Sequence, residues 1–193
     1  MRKITDQMFA LVEARLAKNG LAQTLITKKD ARGLFVEAAK CCVGIEEATG
    51  DNDGFEVELI QKTVDGKAEG EPWCMAFMQT MLAYVERKLN VMSPLLATEH
   101  CLTLWMNTPA SQKVKYNPLA GAIIIWNHAG TSNGHTGVVL DCDEKVFHAV
   151  EGNAAGSVTP NGAIKRDGNS VAYTLRSRNG TGNMKLLGFI KPF

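Results

Sequence analysis

The period of the hydrophobic pattern changes once along this chain, near residue 115, and that change restricts the fold more than any other feature. Before it, apolar residues recur every three to four positions. After it, short runs rich in Val, Ile and Leu alternate with turn residues. Helices first and strands second predict an α+β domain with an antiparallel sheet. There is no internal repeat.

In the first half, Ile4, Met8, Leu11, Val12 and Leu16 fall on one helical face, and Gly20 is expected to end it. A second helix is expected from Thr27, with Asp30 three residues on in a weak capping box, followed by Leu34, Phe35, Ala38 and Cys42. Asn52 to Gly54 reads as a turn and Phe55 to Val64 as a third helix. After the loop Gly66 to Gly70, Pro72 suits the first position of a long helix carrying Trp73, Ala76, Phe77, Thr80, Met81 and Tyr84. Cys74 then falls in its first turn. Thr98 to Met106 predicts a shorter helix. The expected strands are Ala122–Asn127, Thr136–Asp141, Lys145–Val150, Val171–Arg178 and Lys185–Ile190, with turns at His128–Gly134 and Asp141–Glu144.

Composition excludes several functions. Lys plus Arg (21) nearly cancels Asp plus Glu (20), and no basic stripe or charged tail stands out, so no nucleic-acid partner is expected. The basic start is interrupted by Asp6, Gln7, Glu13 and Arg15, so it does not read as a signal peptide. Ala122 to Trp126 is too short to span a bilayer. These features predict synthesis in a cytoplasm without a signal peptide, and no stable membrane insertion. Five cysteines, an odd number, suggest free thiols, and no CxxC or paired His/Cys spacing suggests zinc. Aligning Asp51-Asn52-Asp53-Gly54 as a calcium loop puts Thr49 and Ile60 at its terminal ligand positions, where carboxylates are needed. No metal and no cofactor is therefore expected.

Cys74 is the candidate nucleophile. A helix start and a nearby imidazolium both favour the thiolate, and the unpaired first-turn amides can serve as oxyanion donors. His135 opens a strand, with Gly134 before it and Gly137 after it leaving room for a substrate backbone. Glu151 ends the next strand; an antiparallel hairpin would bring it beside His135 as its orienting acid. Cys41, Cys42, Cys101 and Cys142 read as small core residues. His100, His128 and His148 read as surface or packing residues, with His128 the nearest substitute for His135. Trp73 reads as packing that can also line a substrate groove, and Asn153 reads equally well as a turn residue.

Gly-x-Pro-Trp-Cys-x-Ala-Phe at Gly70–Phe77, Gly134-His135-Thr136-Gly137-Val138-Val139 and Glu151-Gly152-Asn153 together resemble the CHAP domain, the cysteine, histidine-dependent amidohydrolase/peptidase. The loop Gly50–Gly54, the strand after Leu119-Ala120-Gly121 and the closing Leu187–Pro192 add to the likeness. It covers roughly residues 36–193 and leaves 1–35 as a helical lead. The resemblance implies a papain-like fold and a monomer acting on bacterial peptidoglycan. The bond cut would be the muramoyl–alanine amide or one in the stem peptide or cross-bridge. It further implies catalytic roles for Cys74, His135, Glu151 and Asn153, with Asn153 holding the imidazole or polarising the oxyanion. A phage endolysin, made in an infected cell and acting on the wall after release, is the expected setting. A cytosolic amidohydrolase on a small amide and an inactive wall-binding module are the alternatives.

Overall fold

The computed structural model describes residues 2–143, 145–154, 168–180 and 182–193. Among these residues six α-helices come first: α1 (Asp6–Leu16), α2 (Gly20–Lys28), α3 (Ala31–Cys41), α4 (Phe55–Asp65), α5 (Cys74–Leu89) and α6 (Cys101–Asn107). Strands follow: β1 (Lys113–Val114), β2 (Ile123–His128), β3 (Gly134–Cys142), β4 (Val146–Ala154), β5 (Ser170–Ser177) and β6 (Met184–Ile190). They form one antiparallel sheet in the order β1-β6-β2-β3-β4-β5. The α+β class and the order of its halves are as the sequence predicts. Glu144, in the expected Asp141–Glu144 turn, lies outside the described residues.

Helix boundaries differ from expectation near the N-terminus. Gly20 does not close a helix; it opens α2, because the Asn19 side chain accepts a hydrogen bond from Ala22 N at 3.0 Å. Thr27 lies inside α2. Asp30 is itself the cap of α3, accepting from Gly33 N at 2.9 Å, so it is not the distal acid of a capping box begun at Thr27. The long helix starts at Cys74, two residues after Pro72, with Trp73 as its cap.

Helix α5 is the axis of the molecule. Its residues from Cys74 to Val85 are all buried, a pattern apolar on every face that only a surrounded helix can satisfy. It packs on α3 and α4 on one side and on β3 and β4 on the other. Met8, Val12 and Leu16 of α1 share this core with Leu34, Val57, Phe77, Val138 and Val150. The opposite sheet face holds a second cluster built on Ile124, Trp126, Phe147 and Phe189. The few polar groups on α5 are satisfied: Gln79 accepts from the buried Arg2 at 2.7 Å and donates to Leu96 O at 3.1 Å.

Three ties fix the N-terminal end of α5. Gln61 of α4 donates to Asn52 O at 3.1 Å and to Glu71 O at 2.8 Å, joining the loops on either side of α4. The fully buried Trp73 indole donates to Glu47 at 2.7 Å. Asn52 donates to Gly70 O at 3.0 Å. Losing one α3 cap should be felt globally, since α3 lies directly on α5. We predict that Asp30→Ala lowers stability by about 1 kcal/mol, read as a lower urea midpoint with unchanged m-value.

Candidate active site

Cys74 occupies the first helical position of α5, with 7% of its surface exposed. Trp73, the cap residue, makes no side-chain capping bond, so the first-turn amides remain free to point outward, and the Met75 amide hydrogen-bonds the Cys74 sulfur. His135, 8% exposed, comes from the start of β3, and its ring lies on the same groove wall as Cys74, close enough for each to favour the other's charge. Its Nε2 lies 3.1 Å from Glu151 Oε2. Glu151 is wholly buried in β4. The structure thus brings Cys74, His135 and Glu151 into one line across the start of a helix and two neighbouring strands.

The hairpin explains the meeting of His135 and Glu151. Val138 pairs with Val150, so Gly137 lies across from Glu151 and His135 is one step along the same side. A Cβ built on Gly137 would stand 2.4 Å from Glu151 Cγ and 2.9 Å from Val150 O. The missing side chain is what lets the carboxylate lean over to the imidazole. Gly134 plays a different part from the one expected. A Cβ there would meet Trp126 O at 2.5 Å and the Cβ of Cys101 at 2.9 Å, so this glycine allows α6 and β2 to close on the site, although it also lines the groove.

Two participants escaped the sequence reading. Cys101, at the first position of α6, places its sulfur 3.9 Å from that of Cys74. Arg176 of β5 donates from Nε to Glu151 Oε1 at 3.0 Å and Oε2 at 3.2 Å, and its terminal nitrogen also grips Oε2. Neither lies in a motif: Cys101 looks like a core thiol and Arg176 like a strand-end charge. Only the strand order places Arg176 beside Glu151.

Trp73 stands elsewhere than expected, and Asn153 lies at a turn that borders the groove. With its side-chain amide oriented to satisfy both atoms, Asn153 accepts from the Trp73 backbone nitrogen at 3.1 Å and donates to Gly168 O, neither partner being His135. Asn153 has φ 49°, a left-handed turn at an irregularity in the β4–β5 register, and borders the groove. Trp73 does not face the groove; it is 0% exposed and turned towards Glu47. His128 and His100 line the groove, while His148 pairs with Asp141 at 2.6 Å on the surface.

The groove encloses about 770 Å³ over Cys74, His135, Asn153 and Arg176, with Glu71 and Glu99 also on its wall. A second cavity, of about 820 Å³, lies towards the far end of α5 among Arg2, Glu86 and Leu95 and contains no thiol or imidazole. Among the described residues, no cluster of three or more His, Cys, Asp or Glu is arranged to hold a metal ion.

The electrostatics favour a thiolate–imidazolium pair. The hydrogen bond from Cys101 lowers the Cys74 pKa most; burial opposes it, and the contact with His135 adds to it, leaving Cys74 well below the ordinary 9.0. Burial works against the His135 charge, but the bonds to Cys74 and Glu151 outweigh it and push the pKa up to about 10. Burial likewise opposes the Glu151 charge, yet His135 and Arg176 hold its pKa down to about 2. Cys101, which donates to the thiolate, is raised. A thiolate beside an imidazolium oriented by a carboxylate can attack a carbonyl and protonate a leaving amine.

Helices leading into an antiparallel sheet, with a thiol at a helix start facing a strand-borne imidazole, define the papain-like α+β hydrolase fold. Residues 66–153 match the family model described as the CHAP domain, and the chain carries a CHAP domain there. That stretch runs from the loop before α5 to the end of β4, holds Cys74, His135, Glu151 and Asn153, and stops short of Arg176. CHAP domains are in general hydrolases with amidase or peptidase activity on peptidoglycan. No curated protein matches the chain.

Alkylation of Cys74, followed by peptide mapping across pH, should show the thiolate forming well below pH 9. Cys101→Ala should move that midpoint upward by removing the largest favourable contact. The imidazolium should persist until about pH 10, where kcat/KM falls. Because the folded pKa of Glu151 is about 2 against an ordinary 4.5, its contribution to stability is complete above 4.5 and disappears as pH falls towards 2. Gly137→Ala should force Glu151 away from His135 and lower kcat by about tenfold or more, with KM little changed.

Proposed function

We propose that the chain is a cysteine-dependent peptidoglycan hydrolase in which the Cys74 thiolate attacks an amide carbonyl of the stem peptide, the cross-bridge or the muramoyl–alanine linkage. His135 then protonates the leaving amine, and water releases the acyl group from Cys74 with His135 as base. Glu151 orients the ring and balances its charge. The observation that carries this reading is the meeting of Cys74 and His135 on the wall of one groove at a helix start, with the buried Glu151 Oε2 3.1 Å behind His135 Nε2. The first-turn amides of α5 are the oxyanion donors. Asn153, bound to the backbone at Trp73, supports the geometry of that turn.

An endolysin-type use of this chemistry, with a monomer reaching the wall from the cytoplasm of a phage-infected cell, is our reading of the same resemblance. Residues 1–35 are proposed as a lead to the catalytic unit. Among the described residues, no helix is long and apolar enough to cross a membrane.

Purified peptidoglycan of both the diaminopimelate and the lysine type tests this directly. Wild-type protein should release soluble fragments whose new termini, read by mass spectrometry, identify the bond. Cys74→Ala should release none, and Glu151→Gln should slow release by about a hundredfold or more. Equal release by Cys74→Ala would sink the thiol mechanism. No release by folded, reduced wild type on either chemotype would move the reading to a small-amide substrate or an inactive wall-binding module.

A further inference from the structure

We propose that Arg176 is a positioning residue of this thiol site: it locks Glu151 in the orientation His135 needs and supplies the cation that completes an alternating row of charges. The proposal rests on the Cys74–His135–Glu151 reading and extends it to a residue outside the stretch that matches the family.

The row runs thiolate, imidazolium, carboxylate, guanidinium. Its two inner members are almost or wholly withdrawn from water, with His135 8% and Glu151 0% exposed. A buried carboxylate with one cationic partner that also serves the thiolate would leave the group one negative charge in excess, and such an imbalance is relieved by taking up a proton. With Arg176 the row sums to zero.

The geometry is specific for Arg. Its Nε spans both Glu151 oxygens and its terminal nitrogen holds Oε2, the same oxygen that faces His135 Nε2 at 3.1 Å. The carboxylate is therefore held in a plane by a fork that lysine cannot reproduce. The register pairs Arg176 with Phe147, while Glu151 pairs with Ala172, so the side chain reaches along the sheet to make this contact. Among the described residues, the other ionisable groups at the site are Cys101, which faces Cys74 from α6, and Glu71, Glu99, His100 and His128 on the groove wall. All stay constant across the variants below, so differences between variants report on Arg176.

The test measures Cys74 alkylation by iodoacetamide across pH, with peptide mapping to isolate Cys74 from the other cysteines, alongside kcat and KM on peptidoglycan. Arg176→Gln should raise the alkylation midpoint by about one pH unit, a tenfold loss of thiolate on the acid side. Adding Glu151→Gln to it should bring the midpoint back, because the charge sum returns to zero, while activity stays low for want of the orienting carboxylate. Arg176→Lys should keep the midpoint near wild type but lower kcat several-fold at similar KM. A folded Arg176→Gln protein with an unmoved midpoint, or a double variant as displaced as the single, overturns the proposal. If Arg176→Gln does not fold, an Arg176→Lys protein with wild-type kcat overturns it equally. Alkylation needs no substrate. A shifted midpoint in a protein inactive on peptidoglycan would therefore refute the substrate reading and leave the role of Arg176 standing.

Discussion

A thiolate held below a protein surface needs nearby groups that favour its charge, and the architecture of this chain is arranged around that need. Cys74 sits where helix α5 leaves its first amides unpaired, with a second thiol on one side and an imidazole on another. Neither the imidazole nor the carboxylate behind it could remain charged alone at such burial. Each is stabilised by its neighbour, so the row depends on placement to within a few tenths of an ångström.

That placement comes from α5 and the β3–β4 hairpin. Helix α5 is enclosed on all sides, and its N-terminal end is tied by Gln61, by Trp73 on Glu47 and by Asn52 on Gly70 O. The hairpin sets the distance between His135 and Glu151 through pairing register, and Gly137 removes the side chain that would separate them. Side chains that look functional in sequence therefore divide into two kinds. Cys74 and His135 meet on the groove wall with Glu151 buried behind them, whereas Trp73 is packed beneath on Glu47 and Asn153 borders the groove at a turn.

Local pattern determined much of this protein. The switch from a helical to a strand period gives the α+β class, and the buried face of α5 is readable because it is apolar all round. The positions of Cys74, His135 and Glu151 follow from a helix start and a hairpin, both short-range features. The reading failed at Gly20 and Thr27, where a polar side chain, Asn19, capped a helix that its weak apolar pattern did not announce. It also misassigned Asp30, because a cap and the distal acid of a capping box are the same residue type at different positions in the turn.

Tertiary structure alone decided the remainder. Cys101 approaches Cys74 only because α6 folds back over the mouth of β2 and β3, an approach that Gly134 permits by lacking a Cβ. Arg176 meets Glu151 because β5 lies beside β4 at the sheet edge and its side chain runs along the strand. Sequence encodes which residues can be nucleophile, base and acid, since those depend on chemistry and on neighbours a few positions away. It does not display which distant charge balances them, since that depends on strand order and register, which are properties of the folded sheet.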